Sequence, residues 1–133
     1  MTQAFIVTPY AAVLGLLGAA LTINVIINRG RAKATAGDGG SPALAQAIRA
    51  HGNFVEQTPL TLLVIWLAET AGARPLMIHL FGAGLLLSRL IVSYNLNRTL
   101  DLTRLRVAGA GLGLVVLIAA SITALTCWFR LGG

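Results

Sequence analysis

The sequence predicts an all-α membrane protein, a bundle of four transmembrane helices whose long second helix projects into the cytoplasm. Three observations lead there: a scarcity of charge, long apolar runs, and basic residues gathered between particular runs. Of 133 residues, 56% are hydrophobic and only 11% charged, with a mean hydropathy of +0.82. A soluble domain carries about 25% charged residues. So few cannot clothe the surface of a small water-soluble body. A helix needs about 20 apolar residues to cross the hydrocarbon core. Because lipid satisfies no backbone hydrogen bond, such runs must be helical.

Four spans follow, near Phe5–Asn28, Asn53–Ala71, Pro75–Leu96 and Leu105–Phe129. The first is expected to be a span and not a leader, since no Lys or Arg precedes it and its apolar run is too long for one. One four-helix domain over residues 1–133 is the economical count. The segment GRAKATAGDGGSP reads as a loop, and Ser41-Pro42 as an N-cap followed by proline at the first helical position. The second helix is therefore expected over Pro42–Ala71, roughly 45 Å against a core of about 30 Å. Pro59 is expected to bend it. Gly72 ends it, and Arg74-Pro75 opens the third helix. Gly15 and Gly18 in the first span, and Gly109, Gly111 and Gly113 in the fourth, fit close helix packing.

Charge sets the expected orientation. Arg29, Arg31, Lys33 and Arg49 lie between the first two apolar cores, and Arg98, Arg104 and Arg106 between the last two. With four spans these connections share a side, which the positive-inside rule assigns to the cytoplasm, leaving both termini outside. Flanking charges of this kind speak for topology and against nucleic-acid binding. The single Cys127 can form no intrachain disulfide and reads as a small buried apolar residue. His79 has no second ligand nearby, which speaks against a metal site. Glu69 is expected to pair with Arg74, and Asp101 with Arg98 or Arg104.

The segment RAHGNFVEQTP, Arg49 to Pro59, carries the chemistry. With Arg49 at zero on a helix, Asn53 falls at about 40°, Glu56 at about −20° and Gln46 at about 60°. These polar side chains share a face that runs into the membrane, with His51 on the far side. Counted from the opposite membrane surface, Glu56 and Arg89 lie at the same depth, roughly 21–23 Å in. Intramembrane ionisable groups face a bundle interior or a wet cavity, so Glu56 and Arg89 are expected to face one buried polar site, within or between subunits. Gln46, Arg49, Asn53 and Tyr94 supply more donors and acceptors than one ion pair needs, and Asn28 is expected to contribute. Arg104 and Arg106 return to the same end. Arg grips carboxylates in forks and Glu takes an ammonium, so the set suits a small, multiply charged ligand.

Arg49-Ala50-x-x-Asn53-x-x-Glu56-x-x-Pro59 resembles the second-helix signature of the membrane-associated proteins in eicosanoid and glutathione metabolism. SRLIVSYNLNR, Ser88 to Arg98, is similar to the third-helix segment of bacterial members, and Arg106-Val-Ala-Gly109 to the start of their fourth helix. The resemblance covers nearly the whole chain. It implies a homotrimer in a bacterial inner membrane, with glutathione as co-substrate between subunits at the cytoplasmic side. Arg49, Asn53 and Glu56 match residues that hold glutathione, and Arg89 matches an Arg near that Glu. Arg106 matches the Arg facing the sulfur, with Arg104 as the competing choice. The implied activity is a glutathione transferase or peroxidase acting on a lipophilic molecule from the lipid. The alternative is a non-catalytic relative, a scaffold or anionic-ligand binder. Gln57, where several eukaryotic members carry Tyr, departs from the pattern. A small multidrug exporter is disfavoured because Phe5–Asn28 contains no Asp or Glu.

Overall fold

The structure, a computed structural model, describes residues 5–132. It contains α1 (Val7–Ala32), α2 (Pro42–Thr70), α3 (Pro75–Leu96) and α4 (Arg104–Arg130). Helices α1, α3 and α4 are each long and apolar enough to cross a membrane by themselves. Helix α2 falls short on composition because Arg49, Asn53, Glu56 and Gln57 interrupt it. It packs against all three others, as does α3, whereas α1 and α4 do not meet among the described residues. The bundle thus carries its most polar helix beside its own helices and turns the apolar faces of α1 and α4 outward. Leu16, Ile26, Val115 and Ile122 are all more than half exposed on the isolated subunit, as lipid-facing side chains should be.

The helix ends follow local chemistry. Ser41 caps α2, its Oγ accepting from Leu44 N at 3.3 Å, with Pro42 behind it. Thr103 does the same for α4, accepting from Arg106 N at 3.1 Å. Helix α2 ends in a Schellman turn: Ala73 N donates to Ala68 O and Gly72 N to Glu69 O. The turn needs a left-handed residue after the helix, and Gly72 takes φ 84° at no steric cost. Helix α1 runs four residues past the expected Asn28, to Ala32, where Lys33 adopts φ 50° and closes the last turn. Pro59 sits within α2 without ending it.

Contacts fix the helix directions. The start of α1 meets the end of α2, where the Glu69 carboxylate accepts from the backbone N–H groups of Ile6 and Val7. Tyr10 near the start of α1 bonds His79 near the start of α3 at 2.9 Å. Asn24 near the end of α1 bonds Asn97 at the end of α3 at 2.8 Å. Both basic connections therefore lie at one end of the bundle, the loop end, and the α2–α3 turn lies with the start of α1 and the end of α4 at the other, the terminal end. Glu69 does not pair with Arg74 as expected. The unpaired N–H groups opening α1 are a better acceptor's target, carrying the positive end of the helix dipole.

In lipid the hydrophobic effect does little to hold helices together; close packing and interhelix hydrogen bonds do. The glycines mark where this happens. Phe54 of α2 lies over Gly18 of α1, and Tyr10 over Gly82 of α3. Ile91 and Val92 press on Gly109, and Ser88 and Arg89 on Gly113, both of α4. A methyl group on Gly113 would fall 2.5 Å from Arg89 Nη2 and 2.7 Å from Ser88 Oγ. Gly113→Ala should therefore lower stability by about 1–3 kcal/mol, read as an earlier thermal midpoint in detergent, while Gly111→Ala, which meets nothing within 4 Å, should leave it unchanged.

Candidate functional site

The polar stripe of α2 divides between two neighbours. Arg49 and Glu56, two turns apart, lie on its outer side about half exposed, with Nη1 and Oε1 3.5 Å apart. At that distance and exposure the pair holds weakly. Among the described residues the other guanidinium nitrogens and Glu56 Oε2 have no protein hydrogen bond. A groove of about 460 Å³ runs past them, walled by Gly37, Asp38, Ile48 and Gly52. Arg29 shapes its loop wall, Nη1 donating to Ala34 O and Gly37 O.

Asn53 turns the other way, towards α3. Its Oδ1 accepts from Arg89 Nη1 at 3.1 Å. Arg89 Nη2 donates to Ser88 Oγ at 2.7 Å, and Ser88 donates onward to Gly109 O at 2.7 Å. One guanidinium thereby ties α2, α3 and α4 together. It is 2% exposed, and its Nε has no partner. The meeting of Glu56 with Arg89 that equal depth led us to expect does not form within the subunit. About 60° of helix rotation separates Asn53 from Glu56, and α3 packs on the Asn53 side. Arg89 is buried behind Asn53 and fixes the position of that side chain.

Beyond Asn53 a second groove, of about 420 Å³, opens between α2, α3 and the start of α4. Asn53 and Arg106 line it together with Val92, Leu102, Val107 and Leu114. Arg106 is half-buried, with Nη1 held by Leu100 O at 2.9 Å; its remaining donors are uncommitted among the described residues. Arg104 is exposed and lines neither groove.

Two comparisons bear on this geometry. The family model described as MAPEG family matches residues 7–126. The chain belongs to the MAPEG family. It is also 35% identical over 91 residues to the inner membrane protein YecN of Escherichia coli, covering 68% of this chain and 70% of that protein. The same protein from a second Escherichia coli strain matches equally. A membrane protein of the MAPEG family is thus established, by a match running from the first turn of α1 nearly to the end of α4.

The other polar residues singled out in the sequence make these contacts within the subunit. Gln46 Nε2 donates to Arg98 O at 3.2 Å, tying α2 to the α3–α4 connection. Asn28 donates to Asn24 at O and Oδ1, supporting the Asn24–Asn97 bridge. Tyr94 is exposed, with the Arg98 guanidinium 4.9 Å from its ring centre, about 140° round α3 from Arg89. Asp101 accepts from Thr99 Oγ1 and pairs with neither arginine. Ser88 and Asp38 were not foreseen. Ser88 was legible as the one polar neighbour of a buried Arg; Asp38 enters only through the fold of the loop.

Asn53→Ala should strand Arg89 Nη1 and cost about 1–3 kcal/mol of stability. Glu56→Gln should cost under about 1 kcal/mol. Thermal melting of the two variants in one detergent checks the order.

Proposed function

We propose that the protein binds glutathione between neighbouring subunits of a homotrimer and uses its thiolate against a lipophilic electrophile or hydroperoxide. The observation carrying this reading is a pair of half-sites at one end of the bundle. One groove offers an Arg49–Glu56 pair beside Asp38; the other offers Asn53 and Arg106 on an apolar wall. Each is incomplete alone. A head-to-tail contact closing into a ring sets one face of a subunit against a different face of the next. Arg49 then takes a glutathione carboxylate in a fork and Glu56 its ammonium, while Asn53, held by Arg89, bonds a peptide group.

Arg106 acts on the sulfur. A guanidinium beside a thiol favours the charged form and lowers its pKa. In the transferase reaction the thiolate forms a carbon–sulfur bond and the leaving group departs with its electron pair. In the peroxidase reaction sulfur attacks the terminal oxygen, the O–O bond breaks and an alcohol leaves. A second glutathione then reduces the sulfenic acid, giving the disulfide and water. Val92, Leu102, Val107 and Leu114 keep water from the thiolate and admit a substrate from lipid. Such walls select weakly among apolar molecules.

The basic loop end lies in the cytoplasm and the termini outside, in a bacterial inner membrane. Two features support this: the gathering of Arg29, Arg31, Lys33, Arg98, Arg104 and Arg106 at that end, and the inner-membrane location in the name of the Escherichia coli relative.

Arg106→Ala should lower glutathione-dependent turnover at neutral pH about tenfold or more, abolish thiolate absorbance, and move the rising limb of the pH–rate profile to higher pH. Removing a cation raises the thiol pKa, hence that direction. Arg104→Ala should leave all three unchanged. If wild-type protein binds glutathione but shows neither thiolate nor turnover, the non-catalytic reading replaces this one.

A further inference from the structure

We propose that the terminal end of the bundle carries a second, separate site, for a phosphate group, built from Arg74 and Arg130. A cavity of about 210 Å³ lies between the α2–α3 turn and the last turns of α4. Both arginines line it, with Gly72, Thr123, Thr126 and Cys127, and among the described residues no carboxylate does. The carboxylate nearest Arg74 in sequence, Glu69, is committed to the N–H groups of Ile6 and Val7. Among the described residues neither Arg74 nor Arg130 makes a side-chain hydrogen bond or ion pair.

Arg130 occupies the last turn of α4, where a cation offsets the negative helix end. Arg74 occupies the opposite situation. It is the N-cap residue of α3, whose first turn has no acidic residue and no side-chain cap. A cation there adds to the positive end of the helix, an unfavourable arrangement that an anion reverses. The threonine hydroxyls are not available as donors, since Thr123 gives its proton to Ala119 O and Thr126 to Thr123 O. Recognition therefore falls to the two guanidiniums, whose forks match phosphate oxygens.

A mainly apolar groove of about 350 Å³ lies between the end of α2 and the last turns of α4, lined by Leu67, Thr70, Ala71, Ala124, Leu125 and Trp128. At a membrane surface, a basic pocket beside an apolar groove fits a phospholipid, phosphodiester in one and acyl chain in the other. Free phosphate would use the pocket alone.

The test uses the full-length protein in detergent, with retained ligand counted by native mass spectrometry and Trp fluorescence as a second signal. Phosphatidylglycerol, diacylglycerol and inorganic phosphate are the probes. Phosphatidylglycerol should be retained over diacylglycerol, and Arg74→Ala/Arg130→Ala should weaken it about tenfold or more, with the unliganded melting temperature unchanged. The single variants serve should the double variant fail to fold, each giving a smaller loss. If inorganic phosphate binds as tightly and competes fully, the site stands and its ligand is free phosphate. Equal retention of phosphatidylglycerol and diacylglycerol with no phosphate binding, or wild-type affinity in the folded variants, overturns the proposal.

Discussion

A guanidinium buried among helices in an apolar setting must be solvated by the protein or not be there at all. Arg89 meets that demand at both terminal nitrogens, through Asn53 on α2 and Ser88 on its own helix, with Ser88 relaying to the Gly109 carbonyl of α4, while Nε has no partner among the described residues. Gly113 leaves the space in which the side chain lies. No carboxylate contributes among the described residues, so its charge is spread over neutral acceptors whose positions are thereby prescribed. Removing one acceptor strands a buried donor, which costs more than the bond itself contributes. This cluster holds α2, α3 and α4 in register at the level where the two grooves open.

From that register the placement of the site follows. Asn53 is pulled towards α3 and presents its remaining polar atoms to the groove that Arg106 shares. Arg49 and Glu56 are left on the outer side of the same helix. A stripe that looks continuous on a helical wheel is thus split by packing into an inward anchor and an outward pair. The outward pair is half-exposed and weakly coupled in a single subunit, a costly state in a bilayer unless something covers it. A neighbouring subunit with a charged ligand between would do so.

Much of the fold was legible because helix ends are decided locally. Pro75–Leu96 was read as it stands, and Ser41-Pro42, Gly72 and Arg74-Pro75 mark their boundaries by capping and by allowed dihedrals, which neighbouring residues determine. The end of α1 was read four residues short, since Arg29 and Arg31 interrupt the apolar run while the backbone stays helical to Ala32. The residues of the candidate site were legible as types and depths. Their pairings were not. Glu56 with Arg89, Glu69 with Arg74 and Asp101 with its arginines were all inferred from proximity in depth or sequence. The structure gives the first pair to different helix faces, Glu69 to the start of α1, and Asp101 to Thr99. A charge chooses its partner by rotation about the helix and by competing backbone groups, neither of which depth encodes. Asn53 and Arg106, both singled out in the sequence, line one groove, which Arg104 does not.

The central claim is that Arg49 of one subunit and Arg106 of another serve a single glutathione. Co-expression of differently tagged Arg49→Ala and Arg106→Ala chains, followed by isolation of doubly tagged trimers, tests it through thiolate absorbance and turnover with glutathione. Each homotrimer should lack the thiolate and wild-type turnover, while mixed trimers should recover both at the interface where two intact faces meet. Mixed trimers no more active than either parent would contradict the account, since every subunit would then carry its own defective site.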